Sequence, residues 1–392
     1  MAQVRAMRIS TAFSVLIRGL LTLTAAVSIF PLAAHAAARM WYATVGAESD
    51  DLGSQGWAFL PNELWIHEGD SVTWTFASDE PHTVTFLLAT TLRPTIANDA
   101  MFLAPSGSSF PGSPPNDVNS GELCRNPANC PPAPGNTYTV KFPTPGNFKL
   151  VCLAHLYMNG TIHVLAASAL LPHDQAFYDR EATHQSDHLL SDIDHDVEDI
   201  DHRGDSDRDD SVSHRVIAGI GQVAATGGGF QTAEIVRFFP ETITVHVGDT
   251  VEWTNPDPMT NHSITFGVDP AKLRQPNPVV TSGVGVNAIL DPDGALHATV
   301  SLPTDNVHSG ALWPLPADRA VNGPNTGLLP TDPPELSQFP LPAVVLNPVP
   351  PPTVAADLNQ RYRVTFVHPG IFNYHCAYHD NLGMVGQVIV LP

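Results

Sequence analysis

The sequence predicts an all-β protein built from two tandem domains, each a β-sandwich or small barrel, and three observations carry that prediction. Apolar and polar residues alternate with period two, as in Val72, Trp74 and Phe76 or Tyr138, Val140 and Phe142, and no helical period competes with them. The 37 Pro and 28 Gly in 392 residues punctuate these runs with turns. The third observation is an internal duplication. Phe59 to Trp74 parallels Phe238 to Trp253 at an offset of 179, with Gly69-Asp70 matching Gly248-Asp249. Ser120-Gly121-Glu122-Leu123 parallels Ser309-Gly310-Ala311-Leu312. Tyr138 to Phe142, Pro145-Gly146 and Cys152 parallel Tyr362 to Phe366, Pro369-Gly370 and Cys376 at an offset of 224. Shared order with a changing offset means one fold used twice with different insertions.

The domains are expected at 40–166 and 216–392. Residues 1–36 carry Arg5, Arg8 and Arg18, an apolar run from Leu20 to Ala34 and an Ala34-His35-Ala36 site. This is the layout of a secretory signal peptide cleaved near Ala36, and it predicts export to a periplasmic or extracellular space. The run is short for a membrane span, so no stable insertion is expected. The stretch 167–215 carries 14 acids, four Arg and six His (His173, His184, His188, His195, His202 and His214) with almost no strand pattern. It is expected to be a solvated, extended linker, so that the domains need not touch, and its His-rich acidic tract could also collect metal ions loosely. A Pro-rich insertion, with 12 Pro between Trp313 and Thr353, precedes the last strands. The net charge of −21 excludes nucleic acid as a partner, because phosphate binding needs a cationic surplus. It suits solubility or a basic partner instead.

The four cysteines divide into two kinds. Cys124 and Cys130 share a polar, turn-rich loop that suits a small disulfide in an oxidising compartment. Cys152 and Cys376 are each followed three residues later by a histidine and have the look of thiolate ligands. In the second domain Cys376, His379 and Met384 sit on one short loop, and His262 upstream completes a set of one thiolate, two imidazoles and a thioether. The first domain repeats it with His82, Cys152, His155 and Met158. Soft sulfur donors suit Cu(I) while imidazoles also accept Cu(II), so this set points to blue-copper electron transfer. His67 and His246 also recur, but they precede the Gly-Asp turns and are expected to be structural.

Both halves resemble cupredoxins. The loop Cys376-x2-His379-x4-Met384 is similar to that of plastocyanin, and Cys152-x2-His155-x2-Met158 has the shorter spacing of amicyanin. The Gly-Asp turn, the Ser-Gly-x-Leu block and the Tyr-x3-Phe-x2-Pro-Gly run extend the resemblance over most of both domains. It implies Greek-key β-sandwiches holding two coppers per chain, with Thr83 and Ser263 as hydrogen-bonding neighbours of the metal shell. It also implies electron entry and exit through exposed imidazole edges at His155 and His379. The partner is then another redox protein, with a basic docking face given the acidic chain. The chain departs from the family in its long separations from first histidine to cysteine and in its unequal ligand loops.

Two other functional classes compete with this reading. A two-domain copper oxidase or nitrite reductase-like enzyme needs extra histidine ligands, and the sequence holds no His-x-His pair. His375, just before the thiolate, occupies a position that multicopper enzymes use for a second metal, whereas in single-site cupredoxins it faces away. A copper storage, delivery or resistance protein is the remaining alternative, but a thiolate-thioether loop in a rigid sandwich favours redox chemistry over release.

Overall fold

Strands form where the alternation places every second side chain inward. In Ser71–Phe76 the buried residues are Val72, Trp74 and Phe76, and in Arg361–Phe366 they are Tyr362, Val364 and Phe366. A computed structural model describes residues 37–392 except 90, 92–104, 128–129, 131–134, 156, 204–213, 258–259, 261, 268–288, 294, 306, 310–311 and 313–360, and the side chains of 194–203 and 290. The expected signal peptide, the Pro-rich insertion and the side chains of His195 and His202 lie outside the described residues.

The first half contributes β1 (Met40–Glu48), β2 (Ser54–Leu60), β3 (Glu63–His67), β4 (Ser71–Phe76), β5 (Thr85–Phe86), β6 (Val118–Asn119), β7 (Thr137–Lys141), β8 (Gly146–Val151) and β9 (Asn159–Leu165). Helix α1 (Gln175–Arg203) follows. The second half contributes β10 (His214–Ala225), β11 (Phe230–Phe239), β12 (Thr242–His246), β13 (Thr250–Thr254), β14 (Thr265–Phe266), β15 (Ile289–Leu290), β16 (Leu296–Val300), β17 (Val307–His308), β18 (Arg361–Phe366), β19 (Gly370–His375) and β20 (Val385–Leu391).

Each half is a sandwich with the same strand order. One layer is β3-β9-β8-β5-β6 in the first half and β12-β20-β19-β14-β17 in the second. The opposing layers, β2-β1-β4-β7 and β11-β10-β13-β18-β16-β15, join edge to edge into one 10-stranded sheet. The cores repeat as well: Trp74, Phe86, Phe142 and Ile162 fill the first, and Trp253, Phe266, Phe366 and Val388 fill the second.

The expectation of a solvated, extended linker is overturned, and the two halves touch. Antiparallel pairing of β2 with β11 matches Trp57 to Thr232, Gly56 to Ala233, Gln55 to Glu234 and Ser54 to Ile235. The supposed linker contains α1, capped by Asp174 Oδ1, which accepts from Phe177 N–H at 2.9 Å. Its apolar stripe of Ala182, Leu189, Leu190 and Ile193 lies over Ala58, Leu60, Ala233 and Ile235, bridging both halves. Tyr178 anchors its start by donating to Trp65 O and accepting from Trp65 N–H. The stripe is thin and sits in a strongly acidic tract, so charge hides the helical period from a composition-based reading.

If α1 is part of the core, Leu189→Ala lowers the unfolding free energy by about 2–4 kcal/mol in urea denaturation. Leu170→Ala, at a position 93% exposed, leaves it unchanged. Equal, negligible effects from both would return α1 to the status of a spacer.

Candidate metal centres

Both centres begin at a β-bulge. In β1 and β10 the register slips at Gly46 and Gly219, which adopt φ of +75° and +76°. A side chain at either glycine would strike the first histidine of its own half: a Cβ would fall 2.9 Å from His82 Nε2 at Gly46, and on top of His262 Nε2 at Gly219. The bulge therefore makes the space into which each histidine is set. Each is then held by a two-bond bridge: His82 exchanges backbone hydrogen bonds with Leu123, and His262 with Leu312. Val84 N–H donates to Ser120 Oγ and Ile264 N–H to Ser309 Oγ. These contacts account for the repeated Ser-Gly-x-Leu block, which braces the first-histidine segment.

The other donors lie at the ends of β8 and β19. Cys152 N–H donates to Met158 O at 3.0 Å and Cys376 N–H to Met384 O at 3.0 Å, pinching each ligand loop shut. The structure gathers His82, Cys152 and His155 into one cluster, and His262, Cys376 and His379 into another, with the donor atoms of each within 4.8 Å of one another. In the first, His82 Nδ1 lies 3.0 Å from His155 Nδ1, which lies 3.7 Å from Cys152 Sγ. In the second, Cys376 Sγ lies 3.9 Å from His262 Nδ1 and 3.5 Å from His379 Nδ1. Met158 and Met384 are fully buried in their loops.

Thr83 and Ser263 stand beside the thiolates. Their backbone N–H groups donate to Cys152 Sγ at 3.4 Å and Cys376 Sγ at 3.3 Å. Their hydroxyls accept from Leu153 N–H and Ala377 N–H, both at 2.7 Å, tying each cysteine loop to the first-histidine segment. Burial pushes both thiols up, but the paired histidines outweigh it and hold Cys152 and Cys376 well below the usual thiol range. Two buried imidazoles converging on a buried thiolate fit a soft, borderline cation such as copper.

Four neighbours of the ligands escaped the sequence reading. Ser78 Oγ lies 2.9 Å from His82 Nε2, whereas Asp257 Oδ2 occupies the corresponding place 3.2 Å from His262 Nε2. The repeat offset of 179 pairs these two residues and was the available signal. Glu80 Oε1 lies 3.3 Å from His155 Nε2, and Trp57 stacks on His155 with centroids 4.0 Å apart. Burial pushes both first histidines down. His82, beside neutral Ser78, ends below its ordinary value, while Asp257 and Cys376 lift His262 to about 9. Burial likewise opposes charge on His155, but Cys152 and Glu80 raise it to about 9.

One expectation fails here. The imidazole edges foreseen as electron ports are not exposed: the His155 side chain is 10% accessible and His379 is 4% accessible. Pairing of β2 with β11 sets Trp57 over the first, and His379 is close enough to attract the Glu80 carboxylate of the other half. His375 is buried and contributes to neither cluster of donor atoms. His67 Nε2 lies 2.9 Å from Ala169 O, and His246 N–H donates to Asp249, so both sit in turn-bracing positions. Cys124 and Cys130 form a disulfide in the loop that carries Leu123.

Residues 47–165 match the plastocyanin/azurin family of copper binding proteins. That matched segment, which runs from the end of β1 through β9, belongs to this family. The second half repeats the strand order and the thiolate and imidazole cluster of the first. Among solved structures, the novel purple cupredoxin from Nitrosopumilus maritimus is 18% identical, covering 46% of this chain and 100% of its own, with a TM-score of 0.19. Oxidized plastocyanin from Dryopteris crassirhizoma is 15% identical, over 45% and 99%, with a TM-score of 0.20. Auracyanin A from Chloroflexus aurantiacus is 17% identical, over 32% and 98%, with a TM-score of 0.21. No curated protein sequence matches the chain.

Two outcomes test these shells in the metal-free protein. Thr83→Val removes the hydroxyl that accepts from Leu153 N–H and lowers stability by about 1–3 kcal/mol in denaturant titration, against no loss if the hydroxyl is idle. Burial, then Glu80 and Cys152, push Glu122 from 4.5 up to about 7. A carboxyl raised on folding keeps its full contribution below the unfolded value and loses it as pH climbs through the folded one. Glu122→Gln therefore stabilises the metal-free chain above pH 7 but not below 4.5. A gain of equal size at both ends of that range would contradict the assignment.

Proposed function

We propose that the chain is an exported, two-centre blue copper protein that carries single electrons between redox partners. The observation that carries this reading is the duplicated, buried cluster of one thiolate and two imidazoles, each thiolate receiving a backbone N–H. Copper, one ion per half, supplies the one-electron Cu(I)/Cu(II) couple when bound. The protein's part is to fix the donors. His82, Cys152, His155 and Met158 hold the first ion, and His262, Cys376, His379 and Met384 the second. Because strands, bulges and the pinched loops set these side chains, the donors need not rearrange when charge changes, which keeps reorganisation small. Burial of the donors excludes water from both thiolates.

The joint between halves replaces tethered diffusion with a fixed pair of centres. It also removes His155 and His379 from the outer surface, so partners approach by other faces. We infer that the partner is a redox protein with a basic face, drawn by the net charge of −21 in a weak, salt-sensitive encounter. The residues 1–36 motif supports export, and among the described residues no helix is long and apolar enough to cross a membrane.

Copper-loaded protein is expected to show two coppers per chain and an intense blue thiolate band. Cys152→Ser and Cys376→Ser are each expected to remove about one half of that band and to leave the other centre's EPR signal intact. A colourless loaded protein would sink the reading for both halves, and copper released readily to a chelating acceptor would favour delivery over electron carriage.

A further inference from the structure

Helix α1 carries His184 and His188 one turn apart, on the same face, with ring centroids separated by 6.1 Å. Both are exposed, and neither belongs to the centres described above. Asp192, a further turn along, places Oδ2 at 2.8 Å from His188 Nδ1. A carboxylate bonded to Nδ1 fixes the ring's tautomer and leaves the Nε2 lone pair outward, the arrangement by which ligating histidines are oriented. The two imidazoles, Asp192 and Glu181 border a cleft of about 490 Å³ whose other walls include Glu63 of the first half and Gln222 of the second. Nine of the helix's 29 residues are acids against two Arg, so the local field favours cations.

We propose that His184 and His188 form a surface site for a divalent transition-metal ion, with Cu(II) the preferred occupant and Asp192 holding His188 in its ligating tautomer. Two imidazoles at i and i+4 on a helix chelate one ion, and nitrogen donors bind Cu(II) more tightly than the other first-row divalent metals. The site differs in kind from the buried centres: it has no thiolate or thioether, and a hydrated ion reaches it directly. It does not depend on the electron-transfer reading.

The test is a Cu(II) titration of the full chain, followed by equilibrium dialysis and EPR, beside His184→Asn/His188→Asn, Asp192→Asn and His246→Asn. The parent is expected to bind one equivalent more than the double variant. That equivalent should give an axial, non-blue signal split by nitrogen. Asp192→Asn weakens its binding by about tenfold. His246→Asn, on an exposed histidine near Asp249, leaves the count unchanged. Equal stoichiometry and the same nitrogen-split signal in parent and double variant would overturn the proposal, as would an equal loss from His246→Asn. Absence of a blue band would instead count against the buried centres, because the one-equivalent difference is read independently of colour.

Discussion

The antiparallel pairing of β2 with β11 is the constraint on which the rest of the molecule depends. Four residue pairs join two sandwiches into one 10-stranded sheet, and each strand thereby loses an open edge that would otherwise invite pairing with another chain. The joint also creates a continuous floor on which α1 lies, because Ala58 and Leu60 of one half stand beside Ala233 and Ile235 of the other. Reciprocal clamps follow from it. Arg237 of β11 donates to Leu382 O in its own ligand loop and to Asp51 O in the first half. In the opposite sense, Asn159 Oδ1, beside Met158, accepts from Phe230 N–H of the second half. The end of the first ligand loop is thus tied directly to the second half, and the second loop is tied to the first half through Arg237, a residue of its own half.

One scaffold supports two centres that are not electrostatically alike. The bulge glycines, the first-histidine bridges and the N–H bonds to sulfur recur almost atom for atom, so the donors meet in the same way in both halves. What differs is the group behind the first histidine. A hydroxyl at Ser78 leaves His82 with little support for positive charge, whereas Asp257, fully buried, supplies it to His262. A buried anion near a metal favours its more oxidised state, and the two centres carry theirs in different places, Asp257 behind His262 and Glu80 behind His155. The unequal loops, two residues longer in the second half, add a second asymmetry.

The β architecture and the six clustered cysteine and histidine side chains were legible in the sequence because both leave short-range signatures. Alternation with period two marks strands directly, and a thiolate loop declares itself by spacing. The duplication sharpened both, since chance does not repeat a donor set in order. The joint and the helix were not legible. Ser54 to Trp57 and Thr232 to Ile235 are unremarkable as edge segments, and nothing local says that one will pair with the other. Residues 167–215 mislead because their 14 acids dominate any window, while only a few side chains at helical spacing face the sheet. Exposure of His155 and His379 was misjudged for the same reason. It depends on the docking of halves, a property of tertiary contacts and not of the ligand loops.

Duplication places a further demand on the joint. Under the repeat offset of 179, Gln55 and Glu234 are counterparts of one another, and they are also paired partners in the sheet. A local two-fold relation between the strands therefore runs through that pair, where an exact repeat would set two identical side chains together. Two carboxylates there, both fully buried, would repel in a medium that screens poorly. The chain instead keeps Gln on one side and Glu on the other. Burial, then the nearby Asp257, pushes Glu234 well above the usual carboxylate range. The joint thus sets an amide against a carboxyl whose charged form burial disfavours, and Asp257 lies close by, against His262. Symmetry is broken where the halves meet: Asp257 stands behind the first histidine of one centre, whereas Glu80 stands behind the second histidine of the other.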